Sequence, residues 1–317
     1  MARKKILLIG GSLNQTQMMY QIAEALPECD SWFSPYYGDG LVQRAAEAGL
    51  LDFTILGGKH KAATSAFFAD RQVQIDYKGC LQAYDLVVTC SDLIVPQNIR
   101  ARNIILLQEG MTTPENLGYH IVHRLGLPRY LGNTSMTGLS HAYKKFCVAS
   151  EGFREMFERK GIPPEKIEVT GIPNFDNLEV FSKNDFPHLN FVLGATSSLR
   201  ESWQYEDRKG FIQRVLEIAA GRQVIFKLHP NENHRRAIAE INRVAPGALV
   251  FSSGNINPMI ANCSAMVTKY SSVLLVALGM GKPVFSDLDP GFAEKLRPVQ
   301  NGGTSARRIA DICREYL

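Results

Sequence analysis

The sequence predicts an α/β protein built from two doubly wound domains, each with a parallel sheet between layers of helices. Short apolar runs that end at Gly, Ser or Thr alternate with helical patterns along the chain. Most of these runs are continuously apolar, as is typical of strands that helices cover on both faces. The length of 317 residues suits two domains, since one domain takes roughly 150 residues.

The first half of the chain supplies one such domain, which we expect to span residues 1–185. Its predicted strands are the runs Ile6–Ile9, Phe53–Leu56, Leu86–Thr89, Ile104–Gln108, Lys145–Ala149 and Ile167–Thr170. Helical patterns such as Gln15–Leu26 and Glu151–Lys160 lie between them. This alternation predicts a Rossmann-like domain.

A break in the pattern over residues 171–188 predicts the linker, and a second Rossmann-like domain is expected at residues 186–317. Its predicted strands are Asn190–Gly194, Val224–Leu228, Ala248–Phe251, Ala265–Thr268 and Pro283–Ser286. Its predicted helices are Lys209–Ala220, Asn233–Ala245, Ile256–Asn262 and Ser272–Met280, and the last helix, Ser305–Leu317, is free to pack on either domain. We expect the two domains to face a central cleft, with the carboxyl ends of both sheets toward it. Ligands of open α/β sheets bind at these ends, so the loops after the strands are where functional residues are expected.

Composition and charge narrow the class of protein. With 45% hydrophobic and 21% charged residues, the chain is an ordinary globular protein. The net charge of +4 comes without a long block of Lys and Arg, so we expect no nucleic acid partner. Six scattered cysteines without metal-ligand spacing indicate reduced thiols in the cytoplasm. We expect no metal, no cofactor and no membrane-spanning segment, while peripheral contact with the inner face of the membrane stays open.

The most informative loop follows the predicted strand that ends at Thr268. Lys269, Tyr270, Ser271 and Ser272 lead from this strand into a helix. The first N–H groups of a helix are unpaired and attract an anion, and the serine hydroxyls and the lysine would strengthen this attraction. We therefore assign this loop to phosphate binding. The alternative is an ordinary serine N-cap.

A second candidate loop begins in the run Lys227-Leu228-His229-Pro230 and continues to Asn231. Pro230 restrains His229 to an extended conformation, which presents the imidazole at the strand end. There His229 can donate a hydrogen bond to a phosphate or stabilise the charge of a leaving group. The alternative is a structural histidine at the start of the next helix.

The first loop of the second domain is a third candidate. It contains the hydroxyls of Thr196, Ser197 and Ser198, followed by the guanidinium of Arg200. These hydroxyls and the guanidinium can donate hydrogen bonds to the oxygens of a diphosphate. The alternative is a solvated loop.

Two loops of the first domain supply candidates for an acceptor site. Glu109 follows a predicted strand, and a carboxylate there is a candidate general base for an acceptor hydroxyl, or else a helix cap or an arginine partner. Gly11, Ser12, Asn14 and Gln15 follow the first strand, where glycine permits a tight turn and close approach of a ligand. The loop lacks the G-x-G-x-x-G pattern of a dinucleotide site, so we assign it to acceptor binding, with plain turn geometry as the alternative.

Three motifs together resemble the C-terminal half of GT-B glycosyltransferases, of the CDP-glycerol glycerophosphotransferase and capsular polysaccharide transferase type. They are Lys227-Leu228-His229-Pro230, Thr268-Lys269-Tyr270-Ser271-Ser272 and Gly281-Lys282-Pro283-Val284. The run Val169-Thr170-Gly171-Ile172-Pro173-Asn174-Phe175-Asp176 is similar to the interdomain segment that these transferases share with the hydrolysing UDP-GlcNAc 2-epimerases.

The resemblance implies a metal-independent glycosyltransferase with the GT-B fold, which moves a sugar from a nucleotide-activated donor to a glycan or lipid-linked acceptor in polysaccharide and cell-envelope biosynthesis. It also implies that His229, Ser271 and Ser272 hold the donor phosphates. Glu109 stands where relatives often have a histidine, and the helix after the serines, Val273–Leu278, lacks the acidic residue that grips the ribose in relatives. Three alternatives therefore stay open: transfer of glycerol or polyol phosphate from a CDP-linked donor, a nucleotide-sugar 2-epimerase or hydrolase, and a non-catalytic nucleotide-sugar binding protein.

Overall fold

The computed structural model describes residues 2–202, 204–269 and 271–317, which divide into two compact units. The first unit holds the chain up to Asp176 together with Asn301–Leu317, and the second unit is Asn177–Gln300. Each unit contains one parallel sheet with helices in the connections between its strands. The predicted α/β class is therefore confirmed.

The first sheet consists of six parallel strands. In chain order they are β1 (Lys5–Gly10), β2 (Asp30–Pro35), β3 (Leu86–Thr89), β4 (Asn103–Leu107), β5 (Lys145–Val148) and β6 (Ile167–Val169). They lie in the order β2-β1-β3-β4-β5-β6 across the sheet. Ile6, Leu7 and Leu8 in β1 are completely buried, as the continuously apolar pattern predicts.

The connections of the first unit contain six α-helices and several 3₁₀ turns. The α-helices are α1 (Leu13–Glu24), α2 (Gly40–Glu47), α3 (Gly58–Asp70), α4 (Gln97–Arg100), α5 (Leu117–Arg124) and α6 (Glu151–Arg159). The 3₁₀ turns are Tyr77–Gly79, Arg129–Met136, Pro164–Lys166 and Pro173–Phe175. A capping box starts α1 directly after β1, because Ser12 Oγ accepts a hydrogen bond from the Gln15 N–H at 3.2 Å.

One predicted strand of this sheet is wrong. Phe53–Leu56 forms turns, and the side chain of Phe53 is 80% exposed. The second strand is β2 instead, which the sequence did not reveal because Asp30, Ser31 and Ser34 interrupt its apolar residues and Pro35 ends it. β2 lies at the sheet edge, where polar side chains and proline are tolerated.

The second sheet has five parallel strands in the order β11-β10-β7-β8-β9. They are β7 (Val192–Ala195), β8 (Val224–Lys227), β9 (Leu249–Phe251), β10 (Ala265–Thr268) and β11 (Val284–Phe285). The helices of this unit are α7 (Arg208–Ala219), α8 (His234–Val244), α9 (Ile256–Asn262), α10 (Val273–Gly279) and α11 (Pro290–Lys295), with 3₁₀ turns at Leu178–Ser182 and Arg200–Ser202. Val192, Phe226 and Val267 from three neighbouring strands belong to one buried core.

The last helix, α12 (Ser305–Arg314), belongs to the first unit. The Ser305 N–H donates to Asp176 Oδ2 at 2.6 Å, and Arg314 Nε lies 2.7 Å from Glu28 Oε1. Residues 177–185 belong to the second unit instead of the first. The units therefore divide after Asp176, not after residue 185, because the buried Asp176 carboxylate ties the chain to the start of α12.

Since all strand pairs within each sheet are parallel, the carboxyl ends of the strands lie along one edge of that sheet. The connections that leave this edge contain the candidate residues of both units. Across the parts of the chain that the structure describes, none of the helices combines the length and the hydropathy that crossing a bilayer requires.

Candidate functional site

Three strands of the second sheet end side by side and place three candidate loops together. β7 lies between β8 and β10, with Ala195 in register with Lys227 on one side and with Thr268 on the other. The Thr196 N–H donates to the Lys227 carbonyl at 3.1 Å, and Thr268 Oγ1 donates to the Ala195 carbonyl at 3.3 Å. The loops that follow these strands therefore start at neighbouring points.

The buried carboxylate of Glu232 links two of these loops, and its side chain is only 1% exposed. Its Oε1 accepts hydrogen bonds from Thr196 Oγ1 and from the His229 N–H, the latter at 2.9 Å. Its Oε2 accepts a hydrogen bond from Arg208 Nη2 at 2.9 Å. Because Thr196 and His229 donate to the same carboxylate oxygen, Oε1, the two residues are held next to each other.

Arg208, the first residue of α7, bridges Glu232 and a second buried carboxylate, Glu206. Its Nη2 lies 2.9 Å from an oxygen of each carboxylate and 3.1 Å from the Ser197 carbonyl oxygen. The Arg208 side chain is 4% exposed, and its Nε and Nη1 have no hydrogen-bond partner among the described residues. Since both nitrogens are closed off from solvent, the guanidinium serves as the buried counterion of Glu206 and Glu232.

The same network reaches the hydroxyl of Ser197, whose Oγ donates to Glu206 Oε1 at 2.9 Å. The next residue, Ser198, is half-buried. Both serines thus lie in the loop that Arg208 and Glu206 hold against the sheet. Their predicted role in binding a diphosphate stays a prediction.

His229 is half-buried at the end of β8 and is held in a defined ring orientation. Its Nδ1 accepts a hydrogen bond from the Asn231 N–H at 3.1 Å. This contact requires Nδ1 to be unprotonated, so the neutral imidazole carries its proton on Nε2, the nitrogen that would donate to a phosphate oxygen. The His234 ring nitrogen Nε2 lies 3.0 Å from the His229 carbonyl oxygen and closes the turn around the exposed Pro230.

Lys227 is buried beneath the same loop. Its Nζ donates to the Leu228 carbonyl oxygen at 3.0 Å. Burial lowers the pKa of Lys227, and the negative charge of Glu232 opposes this shift.

Arg200 is engaged with carboxylates of its own unit. Its Nη1 and Nη2 each lie 2.8 Å from an oxygen of Glu240, and its Nε lies 3.4 Å from Glu206 Oε2. The bidentate pair orients the guanidinium toward α8. A diphosphate would have to share Arg200 with these carboxylates, and its predicted role in donor binding stays a prediction.

The loop before α10 places Ser271 half-buried and Ser272 exposed at the start of a seven-residue helix. The Ser271 carbonyl accepts from the Leu274 N–H at 3.0 Å. Ser272 occupies the N-cap position of α10, and its assignment to phosphate binding stays a prediction beside the N-cap alternative. Lys269 is half-buried, and Tyr270, also assigned to this loop, lies outside the described residues.

In the first unit, the structure brings Glu109 together with the loop after β1. Glu109 Oε1 accepts from Ser12 Oγ at 2.7 Å, and Oε2 accepts from Gln15 Nε2 at 2.5 Å. Gln15 Oε1 in turn accepts from the Gly11 N–H at 2.9 Å. The carboxylate is half-buried at the carboxyl end of β4, with each oxygen holding one of these hydrogen bonds.

Two neighbours complete this group. Asn14 is exposed, and its carbonyl oxygen accepts from Asn174 Nδ2 at 3.4 Å. Burial raises the pKa of the Cys90 thiol well above its usual range, and the charge of Glu109 raises it further. Cys90 is therefore protonated at neutral pH and is not a thiolate nucleophile.

Sequence reasoning missed Glu206, Arg208 and Glu232. Charged residues at the start of predicted helices resemble solvated caps, and only tertiary contacts show that all three side chains are buried. One sequence signal for Glu232 was available, since it lies three residues after His229 in a loop that was already a candidate for ligand binding. Arg208 follows Glu206 and Asp207 directly, a context that favours a surface ion pair.

No family model matches the chain, and no curated protein matches it either. Solved structures do. The UDP-GlcNAc 2-epimerase of Neisseria meningitidis bound to UDP-GlcNAc aligns with a TM-score of 0.57 at 14% identity, over 98% of this chain and 100% of that chain. The MnaA–UDP complex of S. aureus aligns with a TM-score of 0.59 at 11% identity, over 99% of this chain and 97% of that chain.

The wall teichoic acid polymerase TagF is also similar, with a TM-score of 0.51 at 11% identity over 98% of this chain and 88% of that chain. Together with the two parallel-sheet units, these similarities show that the chain has the GT-B fold, as the sequence resemblance predicted. At such identities the likeness establishes the fold, and the transferase type stays a prediction.

The Arg208 bridge predicts a large difference between two arginines of α7. We expect Arg208→Met to lower the free energy of unfolding by about 3–5 kcal/mol, because it leaves Glu232 buried without its cation and Glu206 with Arg200 alone. Arg214→Met is the matched control, since Arg214 pairs with the exposed Asp287 at 3.2 Å and should cost about 0–1 kcal/mol. Urea unfolding followed by circular dichroism measures both, and equal costs would contradict the bridge.

Proposed function

We propose that this chain is a glycosyltransferase that uses a nucleotide-activated sugar donor and a glycan or lipid-linked acceptor. The observation that supports this most is the buried network around Arg208, which joins the Thr196–Ser198 loop to the loop of His229. It lies at the carboxyl edge of the second sheet, beside the loops of Ser197 and His229. Ligands of the GT-B and other open α/β folds bind at this edge.

The donor's diphosphate is the group that these residues suit. His229 can donate to its oxygens from Nε2, in a loop whose position the buried Arg208 and Glu232 hold. Ser271 and Ser272 add hydroxyls at the start of α10. Donors fixed before the reaction stabilise the negative charge that develops on a departing phosphate, without reorganisation. No metal ion is part of the proposal.

Glu109 is the proposed general base. A carboxylate has about four lone-pair sites, so each oxygen can accept a second hydrogen bond beside those from Ser12 and Gln15. As the acceptor hydroxyl oxygen bonds to the anomeric carbon, its proton passes to Glu109 and the bond from that carbon to the phosphate oxygen breaks. The nucleoside diphosphate leaves, and the sugar stays on the acceptor.

A nucleotide-sugar 2-epimerase is the second candidate, because two of the similar structures described above carry that activity or bind UDP. Against it, α10 runs Val273-Leu274-Leu275-Val276-Ala277-Leu278-Gly279 without a carboxylate to grip a ribose. Polyol-phosphate transfer has the fold of TagF in its favour. Turnover of a nucleotide sugar without any acceptor would favour the epimerase, whereas turnover of CDP-glycerol in place of nucleotide sugars would favour polyol-phosphate transfer.

Donor binding predicts a selective thermal shift. We expect one nucleoside diphosphate or its sugar conjugate, from a panel of UDP, CDP, GDP, ADP and TDP, to raise Tm. A ligand at 100 times its Kd stabilises a protein by about 2.7 kcal/mol. His229→Ala should abolish this shift, and His188→Ala, in the same unit but outside the strand-end loops, should preserve it. Differential scanning fluorimetry measures the shifts in Tm. If no nucleotide of the panel raises Tm at millimolar concentration, the proposal is overturned.

The base assignment predicts that Glu109→Gln separates catalysis from binding. Transfer should fall about 10²–10⁴-fold, the usual contribution of a general base, while the donor-induced thermal shift stays as in the unaltered protein. The exposed Glu165 of the same unit gives the control Glu165→Gln, which should transfer normally. Product formation from the donor found in the panel is the measurement. Normal transfer by Glu109→Gln would refute the assignment.

A further inference from the structure

Two buried glutamines contact Glu109 or the residue next to it, and we call them the glutamine clamp. Gln15 belongs to α1, which follows β1, and is 3% exposed. Gln108 directly precedes Glu109 at the end of β4 and is 1% exposed. A buried amide is costly unless its hydrogen-bonding groups have partners, so the partners of these two amides show what each side chain holds in place.

The Gln15 amide fixes the carboxylate of Glu109. Its Nε2 donates to Glu109 Oε2 at 2.5 Å, and its Oε1 accepts from the Gly11 N–H at 2.9 Å and from the Ser12 N–H at 3.4 Å. Since these two N–H groups can only donate, they require the oxygen of the amide on their side and turn its NH₂ group toward Glu109. The carboxylate is therefore held by a donor that is itself fixed.

Gly11 leaves the space that Gln15 requires. A Cβ atom at position 11 would lie 2.5 Å from Gln15 Oε1 and 2.8 Å from Ile55 Cδ1, closer than real Cβ contacts come. The φ angle of Gly11 is not in the left-handed region, so the close approach of Gln15, and not the backbone conformation, requires glycine here. The tight loop after β1 therefore serves the contact of Gln15 with Glu109.

The Gln108 amide fixes the backbone next to Glu109. Its Nε2 donates to the Gly110 carbonyl at 2.9 Å, and its Oε1 accepts from the N–H of Ala149, directly after β5, at 2.9 Å. The carboxylate of Glu109 is thus tied to the loop after β1, and its backbone is tied to the end of β5. A side chain held from two directions keeps one orientation, which proton transfer to a particular lone pair requires.

We propose that Gln15 and Gln108 are positioning residues for the carboxylate of Glu109. Gln15 acts on the acceptor through Glu109 instead of by direct contact, because its amide is buried and already holds three hydrogen bonds. The proposal rests on the proposed function only in the role of Glu109 as the base. The contacts of the glutamine clamp can be tested without any substrate.

The variant Gln15→Glu tests the contact with the carboxylate. It keeps the shape of the side chain and places a carboxylate oxygen opposite Glu109 Oε2, so the two carboxylates repel each other when both are ionised. The pKa of the pair in the folded state rises above its value in the unfolded chain, and stability is therefore lost as pH rises through the raised pKa. Compared with the unaltered protein at the same pH, we expect Tm to be about 2–4 °C lower at about pH 8 and nearly unchanged at about pH 5. The Cys90 thiol near Glu109 stays protonated over this range, because burial raises its pKa well above the usual value.

Gln74→Glu is the matched control. Gln74 Nε2 donates to Asp30 Oδ1 at 3.0 Å at an exposed position. This variant also sets two carboxylates side by side, but water and salt screen their repulsion there. Its Tm should stay within about 1 °C of the unaltered protein at both pH values.

The exchange variant Gln15→Glu, Glu109→Gln separates positioning from a structural role alone. It returns one donor and one acceptor to the same contact with their places reversed, so Tm at about pH 8 should recover. Transfer should stay about 10²–10⁴-fold lower, because the base no longer occupies position 109. Recovery of Tm shows that the contact was restored, and the lost transfer shows that stability alone does not supply catalysis.

Gln108→Glu tests the second half of the clamp. It keeps an acceptor for the Ala149 N–H and loses the donor to the Gly110 carbonyl. Transfer should fall up to about 10²-fold, because a small misplacement of a catalytic group is enough for such a loss, while the nucleotide thermal shift stays unchanged.

Three outcomes would overturn the inference: a Tm deficit of Gln15→Glu that is equal at both pH values, an exchange variant that does not recover Tm, or normal transfer by Gln108→Glu. Failure of the proposed function gives a different result. A pH-dependent deficit with recovery in the exchange variant, together with normal transfer by Glu109→Gln, supports the contact of Gln15 with Glu109 and removes the base assignment alone.

Discussion

The buried carboxylate of Glu232 is the contact on which the ligand edge of the second unit depends. It joins the ends of β7 and β8 through Thr196 and His229, and it holds Arg208 at the start of α7. A buried carboxylate is costly unless it is paired, and a buried guanidinium equally so. The two therefore stabilise each other, and together they fix backbone segments that would otherwise move independently.

The sequence predicted the sheets well because their strands are continuously apolar and buried. It failed at Phe53–Leu56 and at β2, and both failures have the same origin. A short apolar run does not distinguish a strand from a turn, and an edge strand such as Asp30–Pro35 tolerates polar residues that hide it. Burial by distant parts of the chain decides both cases.

The candidate site was predictable in part for a similar reason. In a parallel sheet the position of a strand end follows from the strand itself, so the loops of Thr196, His229 and Ser271 could be found from local patterns. The hydrogen bonds of Ser12 and Gln15 with Glu109 join residues nearly a hundred positions apart, so local patterns predicted these loops but not their contact. The Arg208 bridge was not predictable. In the sequence, Glu206 and Arg208 have the pattern of exposed surface charges, and only tertiary contacts show that they are buried and paired with Glu232.

The GT-B fold leaves the reaction open, since one fold serves many chemistries and function is defined by the site. In this chain the site combines two features. The second unit holds its strand-end loops on a buried network of Glu206, Arg208 and Glu232, whereas α10 contains no carboxylate.

Hydrogen exchange measured by mass spectrometry, with and without UDP or the nucleoside diphosphate that shifts Tm, tests this account most directly. Backbone N–H groups become protected where a ligand contacts or rigidifies them. The account predicts slower exchange in peptides that cover residues 196–208 and 229–234, and unchanged exchange in peptides that cover α9. Protection confined to other segments, with residues 196–208 and 229–234 unchanged at saturating nucleotide, would contradict the assignment of the ligand to this edge.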